Sequence, residues 1–245
     1  MKYMMLVCVA EGTELSPEEA ARIGPDTEAW VEEMDRRGIR LQGNQLRPVS
    51  DATTVCVRGG EVLIADGPFA ETKEQIAGYD VIECSSLDEA VKVAARHPVA
   101  PFGAIEVRPF GPGGWSRSAE RPGSADAPEY LMIHRVDATA DLSPADDCTV
   151  PGSPAGRSLR AWNDETDARG VKLAGGRLES PAAARTVRVR DGEMLVTDGP
   201  FAETKEQVAG LNILTCPSLA EAAEIAAQHP TARIGALELR PFADE

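Results

Sequence analysis

A chain of 245 residues exceeds one ordinary domain and fits two of about 100–120 residues, each large enough to bury its own core. Its formal charge of −15 at pH 7 opposes nucleic acid or an anionic membrane as a partner, because both are bound through a cationic footprint. Apolar residues make up 42% and charged residues 27%, as in a soluble globular protein, while aromatics at 4% leave aliphatic side chains and alanine to fill the cores.

Taken in chain order, Tyr3–Val9 is a nearly continuous apolar run and predicts a strand buried on both faces. It is not an export signal, since Glu11 ends it and the run returns mid-chain as Tyr130-Leu131-Met132-Ile133. Ser16-Pro17-Glu18-Glu19 supplies an N-cap, a proline at the first helical position and a capping-box glutamate. The helix it opens extends towards Arg37, with a kink expected near Gly24-Pro25, and Gly38 closes it. Ile39–Leu46 follows as a strand. Thr54–Arg58 and Glu61–Ala65 flank Gly59-Gly60 as a hairpin. Gly78–Cys84 is a further strand, Ser86-Leu87-Asp88-Glu89 is a second capping box opening a helix that ends at His97-Pro98, and Ala104–Arg108 is the last strand.

The same series then repeats. Asp66–Gly78 reads DGPFAETKEQIAG and Asp198–Gly210 reads DGPFAETKEQVAG, an offset of 132 residues (198 minus 66). That offset also relates Trp30 to Trp162, Gly38 to Gly170, Leu46 to Leu178, His97 to His229, and Arg108-Pro109-Phe110 to Arg240-Pro241-Phe242. In the second copy the first helix is worn by Pro151, Gly152 and Pro154, so its start is placed at Ser153-Pro154. Asp191-Gly192 replaces the hairpin glycines, Ser218-Leu219-Ala220-Glu221 repeats the capping box, and Ala236–Arg240 ends the unit. Two domains are therefore read, 1–110 and 128–245, joined by a linker at 111–127 rich in Gly, Pro, Ser and charge. Strand, helix, strands, helix, strand is the order of a ferredoxin-like α+β unit, whose helices cover one sheet face and leave the other to be covered by a second unit.

Five cysteines, Cys8, Cys56, Cys84, Cys148 and Cys216, show no Cys-x-x-Cys spacing and read as small buried side chains in a reducing cytoplasm. Three scattered histidines give no metal-ligand set. There is no phosphate-binding loop, dinucleotide fingerprint or Gly-x-Ser-x-Gly, so neither a metal nor a cofactor is expected.

The decapeptide Asp-Gly-Pro-Phe-Ala-Glu-Thr-Lys-Glu-Gln, followed by Gly, a strand, a Ser-capped helix and a closing Glu-Val-Arg-Pro, resembles the DGPF group of the YciI-like (YCII-related) proteins, and does so over both copies. The resemblance implies a dimeric α/β-barrel arrangement built here from two halves of one chain, a pseudo-dimer that is monomeric or pairs again as a homodimer. It implies no assigned activity. Association with an extracytoplasmic-function sigma factor is implied through gene neighbourhood alone. Distant relatives include an aromatic dehydrochlorinase with a His–Asp pair, for which no motif on this chain corresponds.

Several residues are candidates for chemistry. Asp66 and Asp198 precede Gly-Pro, where an aspartate fixes a tight turn; the alternative is proton transfer. Glu71, Lys73, Glu203 and Lys205 follow on the same loops, where ligand contacts concentrate. His97 and His229 end helices, where an imidazolium caps the dipole; general acid–base duty is the alternative. Glu106 and Arg108, with Glu238 and Arg240, alternate against apolar residues in the last strands and either form simple salt bridges or line a pocket. His134, without a counterpart, reads as a strand residue. Three readings stand: a small-molecule-binding or regulatory protein with a cleft between the copies; a lyase, isomerase or dehalogenating enzyme in which Asp66 or Asp198 works with His97 or His229; and, on the resemblance alone, an accessory partner of an extracytoplasmic-function sigma factor.

Overall fold

Both copies begin their helices where the sequence places the caps. The computed structural model describes residues 1–69, 74–118, 127–137, 152–202 and 205–243. The first repeat runs β1 (Lys2–Ala10), α1 (Pro17–Arg36), β2 (Arg40–Gln45), β3 (Thr53–Arg58), β4 (Glu61–Asp66), β5 (Glu74–Glu83), α2 (Leu87–Ala95) and β6 (Ala104–Pro109). A short β7 (Ser116–Arg117) precedes the second repeat. That repeat runs β8 (Glu129–Asp137), α3 (Pro154–Ala168), β9 (Lys172–Arg177), β10 (Arg185–Arg190), β11 (Glu193–Asp198), β12 (Glu206–Thr215), α4 (Leu219–Gln228), the single turn α5 (Thr231–Ile234) and β13 (Gly235–Pro241).

Ser16 and Glu19 form the full reciprocal box, and α1 continues through Pro25 as one helix. The second box is half made. Ser86 accepts from the Glu89 N–H, but the Glu89 carboxylate turns to Ser85, whose N–H and hydroxyl it accepts at 2.8 and 2.6 Å. Likewise Ser218 caps the Glu221 N–H while the Glu221 carboxylate pairs with Arg169 at 3.3 Å. The hairpin dipeptides take positive φ, 59° and 87° at Gly59-Gly60 and 53° and 79° at Asp191-Gly192, matching the twist of the strands they join.

The chain is α+β with two antiparallel sheets, ordered β11-β10-β6-β1-β5-β2 and β4-β3-β13-β8-β12-β9-β7. Within each, the run β6-β1-β5-β2 or β13-β8-β12-β9 has the ferredoxin-like order. What the sequence does not foretell is where the hairpins go. The compact units are Met1–Leu46, Thr72–Pro112 and Leu178–Glu203 on one side, and Arg47–Glu71, Gly113–Arg177 and Thr204–Glu245 on the other. Each sheet is completed by the hairpin of the opposite repeat: β10 pairs with β6 through Thr186↔Glu106, and β3 pairs with β13 through Thr54↔Glu238. An arginine clamps each exchange. Arg190 donates to the carbonyls of Ala100, Pro101 and Gly103 at 2.8–3.0 Å, and Arg58 to those of Ala232 and Gly235 at 3.0 and 2.9 Å.

In the first unit, Tyr3, Met5, Val7, Ile82, Ile105, Val107 and Val187 meet Trp30 and Met34 of α1 and Ala90, Val93 and Ala94 of α2. The second unit repeats this with Val55, Met132, Leu214, Leu237 and Leu239 against Trp162, Ala222, Ile225 and Ala226. Side chains of the opposite sheet face, among them Met4, Leu6, Val81, Leu131 and Ile133, are buried too, so these strands shed water on both faces. No described helix is long and apolar enough to cross a membrane.

The repeated Asp-Gly-Pro turns are built alike. Gly67 and Gly199 sit at φ 91° and 92°, their N–H groups donate to Ala52 and Ala184, and their carbonyls accept from Thr54 and Thr186 hydroxyls at 2.8 and 2.9 Å. Only glycine adopts that φ without strain. We expect Gly199→Ala to cost about 1 kcal/mol, read by urea denaturation.

Candidate functional site

Asp80 stands in the middle of β5, opposite Met5, on the sheet face that carries the helices. A charged side chain there needs partners, and three elements supply them. Arg40, the first residue of β2, donates from Nε to Asp80 Oδ1 at 2.6 Å. His97, just beyond α2, places Nε2 3.8 Å from Asp80 Oδ2. Trp30 of α1 packs edge-on against the His97 ring, with centroids 4.8 Å apart. Asp80 and His97 are 5% exposed each.

Room for the carboxylate is made by a glycine. A Cβ on Gly43 of β2 would overlap Asp80 Oδ1 and lie 2.6 Å from the Tyr79 carbonyl oxygen, so no other residue fits beside Asp80. Arg40 also donates from Nη2 to the Gly43 carbonyl at 2.7 Å, closing the cradle.

The protonation states follow from burial. Loss of solvent raises Asp80 to about 6, and Arg40 only partly opposes this. Burial, with the Arg40 charge adding to it, lowers His97 to about 4. At neutral pH the pair is thus carboxylate and neutral imidazole. The Val99 N–H donates to His97 Nδ1 at 3.2 Å, which puts the imidazole proton on Nε2, facing Asp80. The gap of 3.8 Å exceeds a hydrogen bond, leaving Oδ2 less firmly held than Oδ1. Trp30 Nε1 is buried without an acceptor among the described residues, a second polar group left unspent on this face of the unit.

The second unit holds the same frame with different charges. Gly175 occupies the place of Gly43, and Asn212 replaces Asp80, its amide filling the space a Cβ on Gly175 would need. Lys172 replaces Arg40 and turns to Asn163 and Asp167 at 2.6 and 3.1 Å. His134 stands in the register of Val7 and bonds Asn212 Oδ1 through Nε2 at 2.8 Å. Its ring lies 4.5 Å from that of His229, whose Nδ1 accepts from Thr231. Trp162 keeps the edge-on contact with His229 but spends its N–H on the Ile225 carbonyl at 3.0 Å. Burial lowers His134 to about 4 and lowers His229 well below its ordinary value.

The residues singled out by sequence are distributed as follows. His97 and His229 are interior groups held neutral, not dipole-stabilised imidazolium caps, because burial outweighs the helix terminus. The carboxylate that His97 faces is that of Asp80. Asp198 is 87% exposed in its side chain and pairs with Arg185 at 3.1 Å; Asp66 ends the exposed strand β4. Glu106 and Arg108 form a buried ion pair, and Glu106 Oε2 accepts from the Phe201 N–H at 3.2 Å, tying the last strand to the second Asp-Gly-Pro-Phe turn. Glu238 pairs with Arg240 at 3.5 Å and Arg135 at 3.1 Å, and Arg240 donates to the Arg47 carbonyl. Lys205 is exposed. Glu71, Lys73, Glu203 and Cys148 lie outside the described residues. No disulfide joins Cys8, Cys56, Cys84 or Cys216, and no cluster of metal-ligand residues occurs among the described residues. Sequence reading missed Asp80 and Arg40, although a charge between the apolar residues Tyr79 and Val81, matched by polar Asn212, is a visible signal.

With this geometry in hand, comparison with known proteins places the chain. Residues 1–112 and 151–244 match the YCII-related domain, and the chain belongs to that family. It is 39% identical over 101 residues to the uncharacterized protein R00369 of Rhizobium meliloti (strain 1021), a match spanning 34% of this chain and 82% of the other. Among solved structures it is similar to the putative chlorite dismutase TA0507, with a TM-score of 0.45 and 8% identity over 99% of this chain and 94% of that one.

The two clusters respond unequally to acid. The unfolded chain protonates histidine near 6.5, and the native histidines resist, so their contribution to stability is complete above that pH and is lost as pH falls. Asp80 has the reverse sign: native Asp80 takes up its proton near 6 and unfolded aspartate near 3.8, so stability rises as pH falls between them. Between pH 7 and 4.5 the first unit is partly compensated and the second, with two buried histidines and Asn212, is not. Hydrogen exchange at those two pH values, corrected for intrinsic rates, is expected to show greater loss of protection in β12 and α4 than in β5 and α2. Equal loss in both would contradict these assignments.

Proposed function

We propose that this YCII-related protein is a proton-transfer enzyme of the lyase, isomerase or dehalogenating kind, with Asp80 and His97 of the first unit as its acid–base pair. The observation that carries the reading is the contrast at one position. The second unit builds the same cradle around the neutral amide of Asn212, so the fold does not require a carboxylate there. A buried charge that the fold can do without is retained for chemistry more readily than for stability.

The roles follow from the atoms. Asp80, raised to about 6, is ionised at neutral pH yet basic enough to remove a proton from a carbon acid, and Oδ2, the oxygen Arg40 does not hold, is the one to do so. The C–H electron pair stays on the substrate, to be reprotonated at another atom or to expel a leaving group from the neighbouring carbon. His97, proton on Nε2 and not hydrogen-bonded to the carboxylate, donates to the developing anion. Arg40 fixes Oδ1 and reaches Asp35 at 3.6 Å, whose side chain is 52% exposed, and so connects the buried pair with the surface.

A binding role for the second unit has its own support. Asn212, His134 and His229 offer neutral donors and acceptors in the same frame, suited to holding a polar ligand without proton transfer.

The enzyme reading is tested by incubating the protein with a bacterial metabolite extract in D2O and following solvent deuterium incorporation and new products by mass spectrometry. Asp80→Asn, mirroring Asn212, is expected to fold and to lose about 10²–10⁴-fold of any activity of the wild type, with His97→Gln reduced as well. Activity equal in the wild type and Asp80→Asn would refute the assignment.

A further inference from the structure

The large apolar side chains that stand exposed among the described residues, apart from Met1, all lie on two strands: Val62, Leu63 and Ile64 on β4, and Met194, Leu195 and Val196 on β11, each 41–57% exposed. Both are edge strands at the end of their sheets, so one row of backbone N–H and C=O groups on each has no strand beside it among the described residues. The placement recurs in both repeats at matching positions. Pairing with β3 sets Val62 and Ile64 on the face of Val57 and Val55; pairing with β10 sets Met194 and Val196 on the face of Val189 and Val187. Those inner neighbours meet the helices, while β4 and β11 extend beyond them. An added strand would therefore continue the sheet, with aliphatic side chains alternating against those already there.

Charge selects what fits. β4 reads Glu-Val-Leu-Ile-Ala-Asp and β11 reads Glu-Met-Leu-Val-Thr-Asp, an aliphatic centre with a carboxylate at either end. A second copy laid antiparallel on either edge would set Glu61 or Glu193 against Asp66 or Asp198, like charges directly opposed, on a chain already at −15. A strand with basic residues at both ends meets the acids and the aliphatic centre together.

We propose that β4 and β11 are docking edges for an extended peptide segment with an aliphatic, β-branched centre flanked by lysine or arginine, taken up by strand addition. The surface is separate from the Asp80 cluster and does not depend on the enzyme reading.

The probe is a fluorescein-labelled hexapeptide Lys-Thr-Val-Ile-Val-Arg, its binding to the whole chain followed by anisotropy. Saturable binding at about two peptides per chain is expected, one for each edge strand, with at least tenfold weaker binding of Glu-Thr-Val-Ile-Val-Glu and of a backbone N-methylated version. Ile64→Lys with Val196→Lys, at exposed positions that leave the cores alone, should weaken binding at least tenfold. Glu61→Lys with Glu193→Lys, which leaves Asp66 and Asp198 in place, should abolish the preference for the basic over the acidic peptide. Equal binding of both peptides by the unaltered chain, a preference that survives Glu61→Lys with Glu193→Lys, or no binding would overturn the proposal. So would a concentration-dependent dimer that Ile64→Lys with Val196→Lys abolishes, which would assign the edges to a second copy of this chain.

Discussion

A carboxylate enclosed by aliphatic side chains must be given space, a cation and a donor, or it will not stay charged. Asp80 receives all three from β2. Gly43 gives the space by lacking a Cβ, Arg40 gives both the charge and the donated hydrogen bond at 2.6 Å, and His97 faces the second oxygen at 3.8 Å. The packing around these groups, Trp30 above His97 and the β5 backbone beneath, is what the first unit is arranged to hold. Moving any one of them changes the state of the carboxylate.

Duplication makes that arrangement interpretable. The two units share caps, hairpin turns, Asp-Gly-Pro turns, the buried histidine and even the glycine that opens the cradle, yet they differ in the charged groups inside it. Asp80 and Arg40 become Asn212 and Lys172, and Val7 becomes His134. One copy therefore serves as an internal control for the other. Its neutral cradle shows what the fold needs, and the charge in the first unit is what remains to be explained by chemistry. The near-identical decapeptides have a different explanation. Their glycines occupy a conformation only glycine accepts easily, and a Phe201 N–H is held by buried Glu106, so turn geometry already accounts for much of the motif.

Local signals in the sequence were informative wherever the cause was local. Ser16 and Glu19, Gly59-Gly60, Asp191-Gly192 and the alternation of the last strands each specify their element through neighbours a few residues away. The exchange of hairpins was hidden because β3 and β10 find their partners across more than seventy residues, and no turn residue encodes which of two similar sheet edges a strand joins. Arg58 and Arg190, placed identically before the turns, were the accessible trace of it. The site was half legible: His97 stood out by residue type, but its partner was sought in the repeated turn, and Asp80 passed as part of a strand.

The central claim is that Asp80 is a buried carboxylate whose proton affinity has been raised towards neutrality. It is tested most directly by following the Asp80 side-chain carboxyl through a pH titration by carbon-13 NMR, with Asp80→Asn to assign the resonance. A midpoint at about 6 is the result required by this account. A midpoint near the 3.8 of an ordinary aspartate would show a solvated group, and neither the cradle nor the proton-transfer role would survive it.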